Sequence, residues 1–213
     1  MQLTKFTHSC VRFDDGDRTL VVDPGVFSEV SAALDGADAV LITHEHADHI
    51  DLEQLRAAAE RDPRLRIWAP VPVARELSEL GEQVLTSAPG QAFEAAGFRV
   101  RTFGGQHALI HATIPVVPNV GYLVEDTVYH PGDSFIVPPV PVGLLLAPIS
   151  APWSKVGEVI DFVVAVRAPR VLGIHEAVLS DAGRALVEGH VSRIGGEHGS
   201  EYKPLAPAET IEV

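Results

Sequence analysis

The sequence predicts a layered α/β protein with two sheets and outer helices. Three observations carry this expectation. Candidate strands cluster in both halves of the chain, each half closes in strand–helix units, and 46% of the 213 residues are hydrophobic. That composition supplies a substantial core for one domain spanning residues 1–213.

The elements follow in order. Residues 2–6, 10–14 and 18–22 read as short strands, with the DDGDR turn between the last two. ADAVLIT (37–43) is a nearly continuous apolar run, the pattern of a strand covered on both faces. DLEQLRAAAERD (51–62) sets Leu52, Leu55 and Ala59 on one helical face. RIWA (66–69) is a strand, and VPVARELSEL (71–80) a helix closed by Gly81. QVL, QAFEA and FRVRTF give strands across 83–103, and GYLVED with TVYH (121–130) a hairpin. VGLLLAP (142–148) is a buried strand. SKVGEVIDFVVAVRA (154–168) is an amphipathic helix with Val156, Val159, Ile160, Val163 and Val164 inward. RVLGIH (170–175) is another buried strand, Asp181 to Gly189 is helical, and residues 208–213 return as an edge strand. His190 and His198 fall in a Gly-rich polar tail.

Charge narrows the function. The formal net charge is −13, from 29 acidic residues against 16 Lys and Arg, and no basic block occurs. A long nucleic acid is therefore not an expected partner, whereas a small-molecule substrate is. No run approaches the ~18 apolar residues of a membrane span. The opening MQLTKFTHSCVRF lacks the basic and apolar regions of a signal peptide, and Cys10 stands alone. A cytoplasmic protein is the expectation; oligomeric state is not legible.

The chemistry concentrates in LITHEHADHID (41–51), three histidines and two aspartates behind an apolar run. Later strands end in the same kinds of group: RVRTFGGQ leads to His107, TVYHPG to Asp133 and RVLGI to His175. Strand ends gathered on one rim bring such groups together. Imidazole and carboxylate oxygen suit Zn²⁺, and also Mn²⁺ or Fe²⁺. His44 and His46 can hold one divalent ion with His107, and Asp48 and His49 a second with His175. Asp133 can bridge the two. The spacing is not HExxH, because Asp48 stands four residues after His44. His111 competes with His107 within one segment. Asp23, in VVDPG, reads either as a turn aspartate or as an acceptor that fixes the His44–His49 loop. His8 reads as a residue at the mouth of the site or as a structural one, and His130 as a packed histidine. In SAPWSK, Trp153 is a candidate to flank a substrate and Lys155 to hold an anionic group; a packed tryptophan and a solvated lysine are the plain alternatives.

HEHADH, a lone His, GDS and a further lone His resemble the metallo-β-lactamase superfamily across residues 8–175. The resemblance implies a four-layer αββα sandwich with two metals at its edge, held by His44, His46, Asp48, His49, His107, Asp133 and His175. It favours His107 over His111. FTHSCVRFDDGDRTLVVDPGVF, GGQHALIH, NVGYLV, HPGDS and APW are similar to the branch of ascorbate-6-phosphate-lactonase-like and related hydrolases. Asp133 occupies the bridging slot and Cys10 is not placed as the cysteine ligand of many true β-lactamases, which argues against antibiotic hydrolysis. The implied activity is metal-dependent hydrolysis of a small ester, lactone or phosphoester by a water shared between two ions, with Asp48 and Asp133 as the catalytic carboxylates. A phosphodiesterase or nuclease of the tRNA-processing type, or a non-catalytic metal-binding member, is the alternative.

Overall fold

A computed structural model describes residues 1–213. The first half contains β1 (Gln2–Lys5), β2 (Val11–Asp15), β3 (Arg18–Val22), α1 (Val30–Ala33), β4 (Ala39–Leu41), α2 (Leu52–Arg61), β5 (Arg66–Ala69), α3 (Val71–Glu76) and β6 (Val84–Thr86). The second contains β7 (Ala92–Ala95), β8 (Phe98–Gly104), β9 (Val120–Val124), β10 (Val128–His130), β11 (Leu144–Pro148), α4 (Val156–Val166), β12 (Arg170–Ile174), α5 (Asp181–Glu197), β13 (Glu201–Lys203) and β14 (Glu209–Glu212). Two seven-stranded sheets result, ordered β14-β1-β2-β3-β4-β5-β6 and β13-β12-β11-β10-β9-β8-β7. Each mixes antiparallel hairpins with parallel strands: β3, β4, β5 and β6 in the first, β10, β11, β12 and β13 in the second.

The apolar runs explain the layers. Successive strand residues point to opposite faces, so a run without polar breaks buries both. Leu20, Val22 and Leu41 turn toward Phe98, Tyr122, Leu144 and Leu172 of the other sheet and form the central core. Between them, Val21 and Val40 turn outward to Leu34, Leu55 and Val73 of the first helical layer. Leu145 and Val171 meet Val159, Phe162 and Val191 of the second. The order helix, sheet, sheet, helix is the αββα sandwich. No helix is long and apolar enough to cross a membrane.

The sheets also hydrogen-bond to each other at one end. Val120 N–H donates to the Thr43 carbonyl at 2.9 Å. The Tyr122 hydroxyl donates to the Ile42 carbonyl at 2.9 Å and accepts from Ser87 at 2.6 Å.

Several details differ from the sequence expectation. The α3 helix stops at Glu76, and a 3₁₀ turn, Ser78–Gln83, passes through Gly81 in a left-handed conformation, φ 59°. Leu77 closes the helix by burying its side chain and bonding back to Val73. The inward face of α4 is Val159, Phe162 and Val163, while Val156 is exposed and Val164 half-buried. The large Phe162 ring turns that face toward the sheet, and Val156 sits at the open first turn. The α5 helix runs on to Glu197, so His190 is helical and His198 caps it. Asp181–Gly189 underestimates it because three glycines weaken the helical signal beyond Leu186. The short α1 and β13 were not expected.

Candidate metal centre

The parallel strands of both sheets deliver their ends to one rim. Asp23 follows β3, Thr43 and His44 follow β4, Asp133 follows β10, and His175 follows β12. His8 follows β1, and His107 lies three residues past β8. Between β4 and α2 the HEHADH segment folds as a tight loop, with His49 N–H on the His46 carbonyl at 2.9 Å. Asp51 then caps α2 by accepting from Gln54 N–H. The DPG segment packs directly on this loop: Val26 N–H donates to Ala47 and Asp51 N–H to Pro24. A β-carbon on Gly25 would sit 1.9 Å from the Asp48 carbonyl oxygen, so only glycine fits. Gly132 is similarly constrained in the HPGD turn, where its φ is 61° and a β-carbon would meet Asn119 at 2.2 Å and Thr43 at 2.7 Å.

Two groups of donor atoms converge, each with its members within 4.8 Å of one another. One contains His44, His46, His107 and Asp133; the other contains His8, Asp48, His49 and His175. Asp133 faces both. Its Oδ1 lies 3.0 Å from His49 Nε2, and its Oδ2 lies 3.2 Å from both His107 Nε2 and His175 Nε2. His175 Nε2 is also 3.4 Å from Asp48 Oδ2. All seven sequence-nominated donors are thus brought together. His111 is not: it is exposed and bonds to Thr113 at 2.7 Å.

The histidines are oriented from behind. Asp23 accepts from His49 Nδ1 at 2.7 Å, and from Thr43 through its N–H at 2.8 Å and its hydroxyl at 2.7 Å. The Thr43 hydroxyl in turn lies 3.0 Å from His44 Nδ1. His107 Nδ1 donates to the Ala108 carbonyl at 2.5 Å, and His175 Nδ1 to the Ser150 carbonyl at 2.6 Å. With Nδ1 carrying the proton, a neutral ring presents the bare Nε2 inward. His8 has the opposite polarity. Its Nδ1 accepts from Ala177 N–H at 3.3 Å, so Nε2 carries the proton and donates to Asp48 Oδ2 at 3.1 Å. Its proton points where a cation would need a lone pair, and it braces Asp48 instead.

Electrostatics divide the groups. Burial holds the His44 and His46 imidazoles below their ordinary value, and neighbouring imidazoles push the same way. Burial also depresses His8. For His49, burial is outweighed by the Asp133 and Asp23 carboxylates, which hold it well above the ordinary value. For His175, burial is outweighed by Asp133 and Asp48, which raise it to about 9. Burial would raise Asp48 and Asp133, but the facing imidazoles hold both low.

Supporting residues complete the site, and among them Asn119, Lys5 and Glu176 carry no signal in the sequence. Asn119 donates to the Pro131 carbonyl at 2.9 Å and accepts from Asp133 N–H at 3.0 Å, pinning the HPGD turn. His130 is packed, donating to the Ser9 carbonyl at 2.8 Å. Beneath His8, the buried Lys5 ammonium pairs with Glu176 at 2.6 Å, and Glu176 also accepts from His8 N–H. Trp153 donates to Asp133 Oδ2 at 2.8 Å, and its ring stands edge-on to His107 and Phe135. Lys155 is exposed and 3.9 Å from Glu158.

The family profile of the Beta-lactamase superfamily domain matches residues 2–175, a span that includes all seven donors. The chain belongs to this superfamily. Protein Rv0786c of Mycobacterium tuberculosis is 38% identical to this chain over 199 residues, covering 91% of this chain and 92% of that protein. A metal-dependent hydrolase of Methylobacterium nodulans is 29% identical over 164 residues, 64% of each chain. The solved structure of Igni18, a metallo hydrolase from Ignicoccus hospitalis, shares the fold with a TM-score of 0.74 at 20% identity, covering 99% of this chain and 97% of that one.

Proposed function

We propose that this protein is a metal-dependent hydrolase of a small ester, lactone or phosphoester, working with two divalent ions, Zn²⁺ first among them. One ion is assigned to His44, His46 and His107, the other to Asp48, His49 and His175, with Asp133 common to both.

One observation carries this reading. His49 Nε2, His107 Nε2, His175 Nε2 and Asp133 Oδ1 are buried without a hydrogen-bond partner, although oppositely polar atoms stand 3.0–3.2 Å away. All four belong to the two converging groups of donors. Leaving such groups unpaired costs about 1–3 kcal/mol each, and an imidazole and carboxylate donor set of this kind suits a divalent cation. The naming of the Methylobacterium nodulans relative as a metal-dependent hydrolase agrees.

When bound, such ions lower the pKa of coordinated water toward about 7 and polarise the oxygen of the bond under attack. The chain's own contributions are positional. Asp23 and Thr43 hold His49 and His44 in register, and His8 holds Asp48. Trp153 fixes Asp133 Oδ2 and covers that side against water. The Asp48 side chain is 24% exposed and that of Asp133 only 4%, so Asp48 is the carboxylate that can exchange a proton with solvent during turnover.

The test is His46→Ala, with metal content and hydrolysis of an ester, lactone and phosphodiester panel measured together. The expected result is loss of one ion and of activity. Unchanged metal content and turnover would overturn the reading.

A further inference from the structure

Twelve large hydrophobic side chains are exposed, and eight of them lie in the four loops that follow Asp23, His107, Asp133 and His175. The other four sit in α3, β6, α4 and α5. Surface apolar residues scattered singly need no explanation, but a set gathered on one feature does. These loops are tied to the donors by backbone bonds. Val26 bonds to Ala47 of the HEHADH loop, and Phe27 stands edge-on to His8 at 5.3 Å. Leu109 follows Ala108, whose N–H donates to the Asp133 carbonyl at 2.8 Å. Val116 precedes Val117, whose carbonyl accepts from His107 N–H. Ile136 is three residues past Asp133, and its carbonyl accepts from the Tyr129 hydroxyl. Val178 is three past His175.

The same loops lack cations. Residues 24–28, 105–119, 134–143 and 176–180 contain no Lys or Arg. Lys5 is buried against Glu176, and Lys155, outside these loops, is an exposed side chain 3.9 Å from Glu158. With a chain charge of −13, nothing on this rim would neutralise a phosphate or carboxylate carried away from the reacting bond. The same charge disfavours an anionic bilayer as the occupant.

We infer that the site takes a neutral carboxylic ester or lactone whose non-reacting part is an apolar chain, seated among these four loops. This rests on the hydrolase reading and narrows it. A lactone bearing a separate phosphate, as the sequence resemblance suggested, has no counter-charge here.

The experiment uses the Zn²⁺-loaded full chain with p-nitrophenyl esters from acetate to octanoate, and with the anionic hemisuccinate. The expected kcat/KM rises about three- to fourfold per added methylene, the yield of burying each in an apolar setting, and the hemisuccinate falls below the butyrate. Leu109→Ser and Ile136→Ser, both at exposed positions, lower the octanoate-to-acetate ratio at least about tenfold. Turnover indifferent to chain length overturns the inference and leaves the hydrolase reading standing. So does a dimer in sedimentation that shows no chain preference, because a second copy then covers the rim. If no ester is turned over, binding of octanamide and acetamide is compared through Trp153 fluorescence in a Trp68→Phe background. Octanamide binding at least about tenfold tighter upholds the apolar seat and sinks ester hydrolysis; equal binding sinks both.

Discussion

The two halves of the centre differ in how they are prepared for an ion. The His44, His46 and His107 half is mostly imidazole, and burial keeps His44 and His46 low, hence neutral at neutral pH. The Asp48, His49 and His175 half is wrapped in carboxylates, which hold His49 high and raise His175 to about 9. It also has more props behind it: Asp23 on His49, His8 on Asp48, and the Lys5–Glu176 pair under His8. The contrast teaches that one half is open to a cation at once, whereas the other must first give up protons. Its extra carboxylates supply attraction at that cost.

The largest expected effect removes the contrast altogether. Asp133→Ala takes away the group facing both halves, so both ions fall in elemental analysis and hydrolysis drops on the order of a thousandfold, equivalent to the several kcal/mol a catalytic metal supplies. Next comes pH. A raised imidazole pKa means that the metal-free site binds its proton more tightly, so an ion competes less well as pH falls. Affinity of the Asp48 half therefore falls about tenfold per pH unit for each proton the ion displaces from His175 and His49, whereas the lowered His44 and His46 add no such dependence near neutrality. Titration with Co²⁺, read by its visible spectrum, resolves two events that separate as pH falls; two events moving together would erase the distinction. Asp23→Asn weakens the Asp48-half ion about 10- to 100-fold through misorientation of His49. The smallest effect is at His8. His8→Ala weakens that same ion about tenfold, and His8→Gln, which keeps an N–H donor, restores most of it. Were His8 itself a ligand, glutamine would not rescue.

Much of the centre was legible because its donors are chemically conspicuous and each follows an apolar strand. His44 to His49, His107, Asp133 and His175 could be nominated by residue type and position alone. Asp23 was legible only as one of two readings, since a turn aspartate and a brace for His49 look alike in sequence. Asn119 and Thr43 were not found, because an asparagine before a strand and a threonine after one are ordinary. Only the packing of the HPGD turn against them gives them work. The polarity of His8 was invisible for a deeper reason. It depends on Ala177 N–H, brought in from the far end of the chain by the left-handed turn at His175, φ 65°. The sheets were legible from runs such as VLIT and LLLAP. The turn of α4 was not, since one phenylalanine outweighed the valine pattern.

The bonds from Val120 to Thr43 and from Tyr122 to Ile42 join the sheets directly under the donors. They act as a floor rather than a hinge. The spacing between donors from the two halves of the chain is then set before any cation arrives, and accommodation of a guest falls to the loops above. Amide exchange at Val120 is accordingly expected to stay slow with or without metal, while exchange in residues 108–116 quickens when the ions are stripped away.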